Sequence, residues 1–300
     1  MRAKTILKAI TARALLLSAI PLFIRLTAAR RGCSILIYHN PKPEALDRHL
    51  HYLKQHYRFI ALSDLCDAIG SGDDCALLGG TLVLTIDDGH AGNAQLLPIF
   101  HKHGIRPTIY ICSAVVGTEQ VFWWQHKAAK ALGLDRLKHL PDAERRRLLA
   151  LHTPLTDPAQ NSRAALSREE IAALMTVADI QSHTRTHPIL TQCDDAARRA
   201  EITGSKSEIE AMTGKPCLDF AYPNGDYGAR EIAALKEAGY RSARTCDLGW
   251  NNRATDPFKL RGIGIADDAS VAWLAVQVSG VSTFLKYAFG GSWRGRMPQT

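Results

Sequence analysis

Short apolar runs alternate with longer stretches of mixed polarity along most of the chain. Ile35 to Tyr38, Thr81 to Ile86 and Thr108 to Cys112 carry no charge. Such runs read as strands buried on both faces. Phe59 to Leu62, Asp179 to Ser182, Leu218 to Tyr222, Arg241 to Thr245 and Leu260 to Ile265 are further strand candidates. Between them the spacing turns helical. Leu46, Leu50 and Leu53 mark a helix over 44–57, Ser63 is placed to cap one over 64–69, and 91–103 is helical up to Gly104. Residues 125–175 read as mostly helical, and helices follow over 195–212 and 227–238. Strands alternating with helices imply a parallel sheet, either doubly wound or closed into a barrel. No fixed-period repeat or low-complexity linker divides the chain, so a single domain is expected.

At 300 residues and 46% hydrophobic content, the chain can bury a full core. Disorder, collagen and disulfide-scaffold readings are excluded. Seven scattered cysteines with no CxxC exclude a cysteine zinc site and fit a reducing compartment. The net charge of +8 suggests nucleic acid until its distribution is considered. Eight basic residues and no acid precede Glu44, and three basic residues follow the last acid, Asp268. Between 44 and 268, 26 basic residues face 29 acidic ones. A slightly acidic body with basic ends argues against nucleic acid and fits an anionic membrane surface.

The N-terminal segment 1–31 carries 11 uncharged residues, 14–24, between Arg13 and Arg25. That is too short to span a bilayer, which takes about 20 residues. No clean small-residue cleavage site follows, so a signal peptide fits less well. An interfacial helix is expected, with apolar residues in lipid and basic ones on headgroups. Arg13 falls among the apolar residues and Pro21 would kink the helix. Packing on the protein's own body is one alternative, and signal anchoring with export is the other. The expected location is cytoplasmic, on the inner face of the membrane. Residues 269–300 are expected to form a C-terminal helical extension and tail.

Three segments carry candidate chemistry, and each follows a predicted strand, where parallel α/β folds place their sites. Asp87 and Asp88 precede Gly89. Adjacent buried carboxylates repel one another unless a cation relieves them, and neighbours on an extended chain point in different directions. One can hold a metal while the other faces a water; the alternative is a surface turn. His183 and His187 are four apart in SHTRTHP. The proline makes this a loop after the strand. Two histidines with an aspartate form a recurrent hydrolytic metal set. Tyr222, Pro223 and Asn224, before Gly225, make a turn whose backbone N–H groups can hold an oxyanion.

TIDDGH at 85–90, SHTRTHP at 182–188 and FAYPNG at 220–225 together resemble the polysaccharide deacetylase family, the carbohydrate esterase group that includes the chitooligosaccharide deacetylases of nodulation. The resemblance covers roughly residues 33–265, leaving 32–268 as the catalytic domain. It implies a distorted (β/α) barrel of about seven parallel strands and a divalent metal, usually zinc, with cobalt, nickel or iron as alternatives. It also implies hydrolysis of an acetyl group, usually N-acetyl on an amino sugar of a polysaccharide, oligosaccharide or glycolipid. By the same resemblance Asp88, His183 and His187 match the metal ligands and Asp87 the catalytic base. The backbone N–H near Asn224 matches the oxyanion donor.

Two departures stand out. Ala221 replaces the arginine often found in the third motif, and a charge partner is lost with it. The chain also has no histidine after 187, whereas many members carry a late Leu-x-His as general acid. Tyr38-His39, ending the first predicted strand, resembles circularly permuted members, and this assigns His39 as general acid. Arg261 is a candidate for tuning a carboxylate or histidine. Trp123-Trp124 and Trp250 read as packing anchors, with sugar stacking as the alternative. An amidase acting on a non-sugar C–N bond and a non-catalytic membrane-associated carbohydrate-binding protein are the competing functions.

Overall fold

The computed structural model describes residues 14–27, 32–71, 80–152, 163–281 and 283. The basic start of the N-terminal segment, residues 28–31 and the tail from 284 lie outside the described residues. Strands β1 (Ser34–Tyr38), β2 (Arg58–Phe59), β3 (Thr81–Ile86), β4 (Thr108–Ile111), β5 (Asp179–Ser182), β6 (Asp219–Ala221), β7 (Ser242–Arg244) and β8 (Gly262–Gly264) form one sheet. Its order is β7-β6-β5-β4-β3-β1-β8, with β2 paired to β3 off this path. Every strand pair is parallel. A bridge between Arg244 and Leu260, just ahead of β8, brings the two ends of the sheet together. The result is a nearly closed seven-stranded barrel, as expected. The first strand sits between the last strand and β3.

The helices are α1 (Ile20–Leu26), α2 (Pro43–Lys54), α3 (Leu62–Ser71), α4 (Leu97–His103), α5 (Lys127–Leu132), α6 (Leu134–Lys138), α7 (Asp142–His152), α8 (Arg168–Leu174), α9 (Asp195–Thr213), α10 (Ala229–Glu237) and α11 (Val271–Val278). Strand alternation sorts the apolar residues into two cores. Leu36, Leu84, Ile109 and Phe220 face outward against Leu50 of α2, Phe100 of α4, Ile202 of α9 and Leu235 of α10. Ile35, Val83, Tyr110 and Ala221 face inward and meet Leu62, Leu65 and Ala68 of α3. Leu62 and Ser63 also line a cavity with Thr108, Asp179 and Asp219, the first residues of β4, β5 and β6. Helix α3 therefore closes the lower end of the barrel, leaving chemistry to the other end. Each large aliphatic side chain so buried contributes roughly 1.5–3 kcal/mol.

Several boundaries differ from expectation. The run 59–62 is a strand only at Arg58–Phe59, because Leu62 already belongs to α3 and points into the barrel. Ser63 lies inside that helix and is not its cap; Asp64 Oδ2 instead accepts from the Ala61 N–H at 3.0 Å. Residues 91–103 split into a 3₁₀ segment, Ala91–Leu96, and α4, whose start carries Pro98. Within 125–175 the described residues form several short helices.

Candidate active site

Strand parity decides which side chains reach the barrel mouth. Tyr38 pairs with Ile86, and the Asp87 N–H donates to Tyr38 O at 2.8 Å. His39 and Asp87 thus leave neighbouring strands side by side. Asp87 shares the inward parity of Val83. Asp88 then takes a left-handed turn (φ +70°), which is uncommon for a residue with a Cβ. Gly89 continues it at φ +73°, where a Cβ would lie 2.7 Å from Ile111 Cγ2.

Thr184, His187 and Asn224 are also left-handed, so four of the five described non-glycine residues with positive φ belong to the three motifs. Backbone strain of this kind persists where the surroundings fix it. Around 183–187 the fixing comes from α9. Glu201 accepts from the N–H groups of Arg185 (2.8 Å) and Thr186 (2.9 Å) and from Thr186 Oγ1 (2.6 Å). One turn of helix away, Ser205 bonds Ser182 at 2.7 Å. A further turn on, Glu208 accepts from Arg185 Nε at 2.7 Å.

Asp88, His183 and His187 come together as a cluster able to hold a metal ion. Both imidazole Nε2 atoms lie 3.5 Å from Asp88 Oδ1. That carboxylate oxygen is buried and has no hydrogen-bond partner. Donors about 2.0–2.2 Å from a shared cation would be spaced in this way, so the residues fit the ion. His183 Nδ1 donates to Ala221 O at 2.8 Å, which leaves Nε2 as the unprotonated donor. Burial pushes the pKa of His183 down, and that of His187 well down, with the neighbouring His183 adding to the effect. Both are therefore held in the neutral, ligating form. Burial works against the Asp88 charge, but contact with His90 holds its carboxyl well below the usual range.

Asp87 is 2% exposed and is paired with Arg244, whose Nη2 donates to Asp87 Oδ2. Arg244 is fully buried. Burial opposes its charge, yet Asp87 beside it raises its pKa overall. Its guanidinium lies over Tyr110 at 5.5 Å and bonds Thr245 O at 3.3 Å. Ala221 and Arg244 are register partners in β6 and β7. The charge lost from the third motif is thus restored from the neighbouring strand. Arg261 Nη1 donates to Trp250 O at 3.4 Å, and Arg244 meets the Asp87 carboxylate.

The Pro223–Gly225 turn is tied to this pair through Cys246. A Cβ on Gly225 would lie 2.5 Å from Cys246 Sγ, and Arg244 Nη1 sits 3.9 Å from that sulfur. Asn224 Nδ2 donates to Asp226 at 2.6 Å. The structure does not bring the Tyr222 side chain to the site. Its ring lies in the outer core and its hydroxyl donates to Phe258 O at 3.2 Å. His39 is half-buried at the mouth. Asp267 accepts its backbone N–H at 3.1 Å, and Asn93 Nδ2 donates to its carbonyl at 2.9 Å. Trp123 is buried and packs, as expected, and Trp250 lies over Gly280.

Arg244, Glu201, His90, Asp267 and Asn93 were not among the expected site residues. Arg244 ends the last-but-one strand, and nothing local in the sequence pairs it with Asp87.

A family model described as polysaccharide deacetylase matches residues 77–243. No curated protein matches the chain. Among solved structures the chain is similar to the deacetylase PplD of Streptococcus pyogenes in complex with acetate, at 17% identity and TM-score 0.61, covering 82% of this chain and 97% of that one. IcaB from Ammonifex degensii is similar at 16% identity and TM-score 0.62, covering 83% and 97%. BC0361, a polysaccharide deacetylase from Bacillus cereus, is similar at 18% identity and TM-score 0.58, covering 82% and 69%. At these identities the three likenesses establish the shared fold.

Proposed function

The chain belongs to the polysaccharide deacetylase family, and from that premise we propose that it is a metal-dependent hydrolase removing an N-acetyl group from an amino sugar of a polysaccharide, oligosaccharide or glycolipid. The observation that carries this reading is the division of labour between adjacent carboxylates. Asp88 faces two neutral histidines, while Asp87 is paired with Arg244. A catalytic base and a ligand cluster therefore stand side by side at one barrel mouth. The similar PplD is solved with acetate, the product such a reaction releases.

Asp88, His183 and His187 would hold the cation. Two nitrogens and one carboxylate suit zinc, with cobalt, nickel or iron as alternatives. When bound, the metal supplies Lewis-acid polarisation of the acyl oxygen and a lowered pKa for water. Asp87 takes the proton of the attacking water, and Arg244 keeps that carboxylate aimed. The Asn224 N–H, turned by its left-handed backbone, donates to the developing oxyanion. His39, held at both its N–H and its carbonyl, passes a proton to the leaving amine.

Acetate release from N-acetylated amino sugars, oligosaccharides and lipid-linked sugars tests this. The zinc-loaded protein should release acetate and Asp87→Asn should not. No release from any substrate by metal-loaded, folded protein would sink the reading in favour of a non-sugar amidase or a binding protein.

The N-terminal segment supports a location at a membrane surface. Among the described residues, no helix is long and apolar enough to cross a membrane. Yet Leu16, Leu17, Ile20, Leu22, Phe23 and Leu26 are exposed, while Pro21 and Ile24 are buried. With eight basic residues and no acid before Glu44, this segment suits an anionic membrane surface, on the cytoplasmic face.

A further inference from the structure

The connection from β4 to β5 does more than cross the barrel. Its residues 122–124 return to the metal-ligand cluster and touch it at two places. The buried Phe122 ring packs edge-on against His90, with centroids 4.8 Å apart, and stacks on Trp124 at 4.8 Å. His90 Nε2 in turn faces Asp88 Oδ2 at 3.2 Å, while Asp88 Oδ1 faces the two ligand histidines. At the second place Trp123 Nε1 donates to His187 O at 2.9 Å, and the Trp124 ring lies 4.4 Å from the His187 ring. Trp123 is itself backed by the Arg145 guanidinium, 4.4 Å from its ring, and Arg145 is paired with Asp142 in α7.

Each contact constrains something a ligand must get right. Asp88 has two oxygens, and His90 engages the one that does not face the histidines. His187 sits at φ +58°, a turn that an L residue holds only under restraint, and Trp123 ties down its carbonyl. Partners of this kind orient ligands, and their loss commonly costs about 10–100-fold in metal affinity.

We propose that His90 and Phe122–Trp124 form a positioning clamp on the metal site, with His90 selecting the Asp88 oxygen presented to the ion and Trp123 fixing the turn of His187. The inference rests on the metal reading above. It makes the β4–β5 connection part of the site.

The test is Zn²⁺ affinity of the metal-free full chain, read by competition with a chromophoric chelator, together with melting of the metal-free protein. Trp123→Phe keeps a ring and deletes the donor; His90→Phe deletes the contact with Asp88. Both should bind Zn²⁺ about tenfold or more weakly while melting near the unaltered protein. His90→Gln, which retains a donor, should recover part of the loss. Unchanged affinity in Trp123→Phe and His90→Phe overturns the clamp, and so does a lowered melting temperature with unchanged affinity, which would mean packing alone. Should His90→Phe not fold, Trp123→Phe still decides. If the unaltered protein binds Zn²⁺ no better than Asp88→Ala, the metal reading itself falls and the clamp falls with it.

Discussion

Arg244 and Ala221 are direct partners across the β6–β7 pair, and the guanidinium absent from position 221 reaches Asp87 from position 244. Both positions face the barrel interior, so either strand can deliver a charge to the same carboxylate. Removing that charge would leave Asp87 buried and unpaired. Breaking such a pair costs about 3–5 kcal/mol. Arg244→Ala should therefore lower thermal stability and cut kcat by on the order of 100-fold through loss of alignment. Combining it with Ala221→Arg should recover part of kcat in an acetate-release assay. A single variant with normal kcat would end the assignment of Arg244.

Asp87 and Asp88 should separate cleanly in metal binding. Asp87→Asn changes a group turned toward Arg244, so its Zn²⁺ affinity should stay near normal while turnover is lost. His187→Ala removes a ligand, and its affinity should fall by more than the roughly tenfold that a supporting residue costs. Chelator competition on both variants measures this. Equal affinities would place the metal elsewhere.

What could be read in advance follows from how local each signal is. β1, β3 and β4 are contiguous apolar runs, and the two ligand histidines lie within one loop, so both were legible. Leu62 misled because an apolar run continues from a strand into a helix that also faces inward. Arg244 was hidden because it meets Asp87 across 157 residues, a contact that exists only once the barrel closes. Glu201 is one of several charges along 195–212. Its meaning depends on knowing that α9 turns Glu201, Ser205 and Glu208 toward the ligand loop.

Glu201 gives a stability prediction. It is buried and accepts three hydrogen bonds from Arg185 and Thr186. A buried donor left without a partner costs about 1–3 kcal/mol. Glu201→Ala should lower unfolding stability by about 3 kcal/mol, measured in urea, and weaken Zn²⁺ binding because the loop carrying both histidines loosens. A change confined to stability would mean that the loop geometry is held elsewhere.

The buried histidines set the acid limit of the metal-free protein. Burial lowers the pKa of His49, His183 and His187 below the ordinary 6.5. Above 6.5 they are neutral both folded and unfolded, so the contribution they make is fully present. As pH falls below that value the unfolded chain takes up protons before the folded one does, and stability is lost until the folded pKa values are passed. The melting temperature of the metal-free protein should decline from about pH 7 downward. Zn²⁺ should flatten the upper part of that decline, since bound imidazoles cannot protonate. A flat profile without metal would show that these histidines are not buried in solution.

The N-terminal segment yields a prediction that separates the membrane from the catalytic body. Leu17 is 87% exposed and Phe23 66%, while Pro21 and Ile24 of the same segment are buried. Side chains of this kind gain roughly 1.5–3 kcal/mol each when taken fully out of water. Basic residues near an anionic surface add about 1 kcal/mol each. The two contributions are read out differently, because salt screens the second and leaves the first. The protein should sediment with vesicles containing anionic phospholipid, less so as salt rises, and poorly with purely zwitterionic vesicles. Leu17→Glu with Phe23→Glu should abolish sedimentation and leave acetate release from a water-soluble substrate unchanged, since neither residue belongs to the barrel mouth. Sedimentation that survives the double substitution would move the membrane contact to the basic residues alone. No sedimentation of the unaltered protein would leave the exposed apolar segment to a protein partner instead.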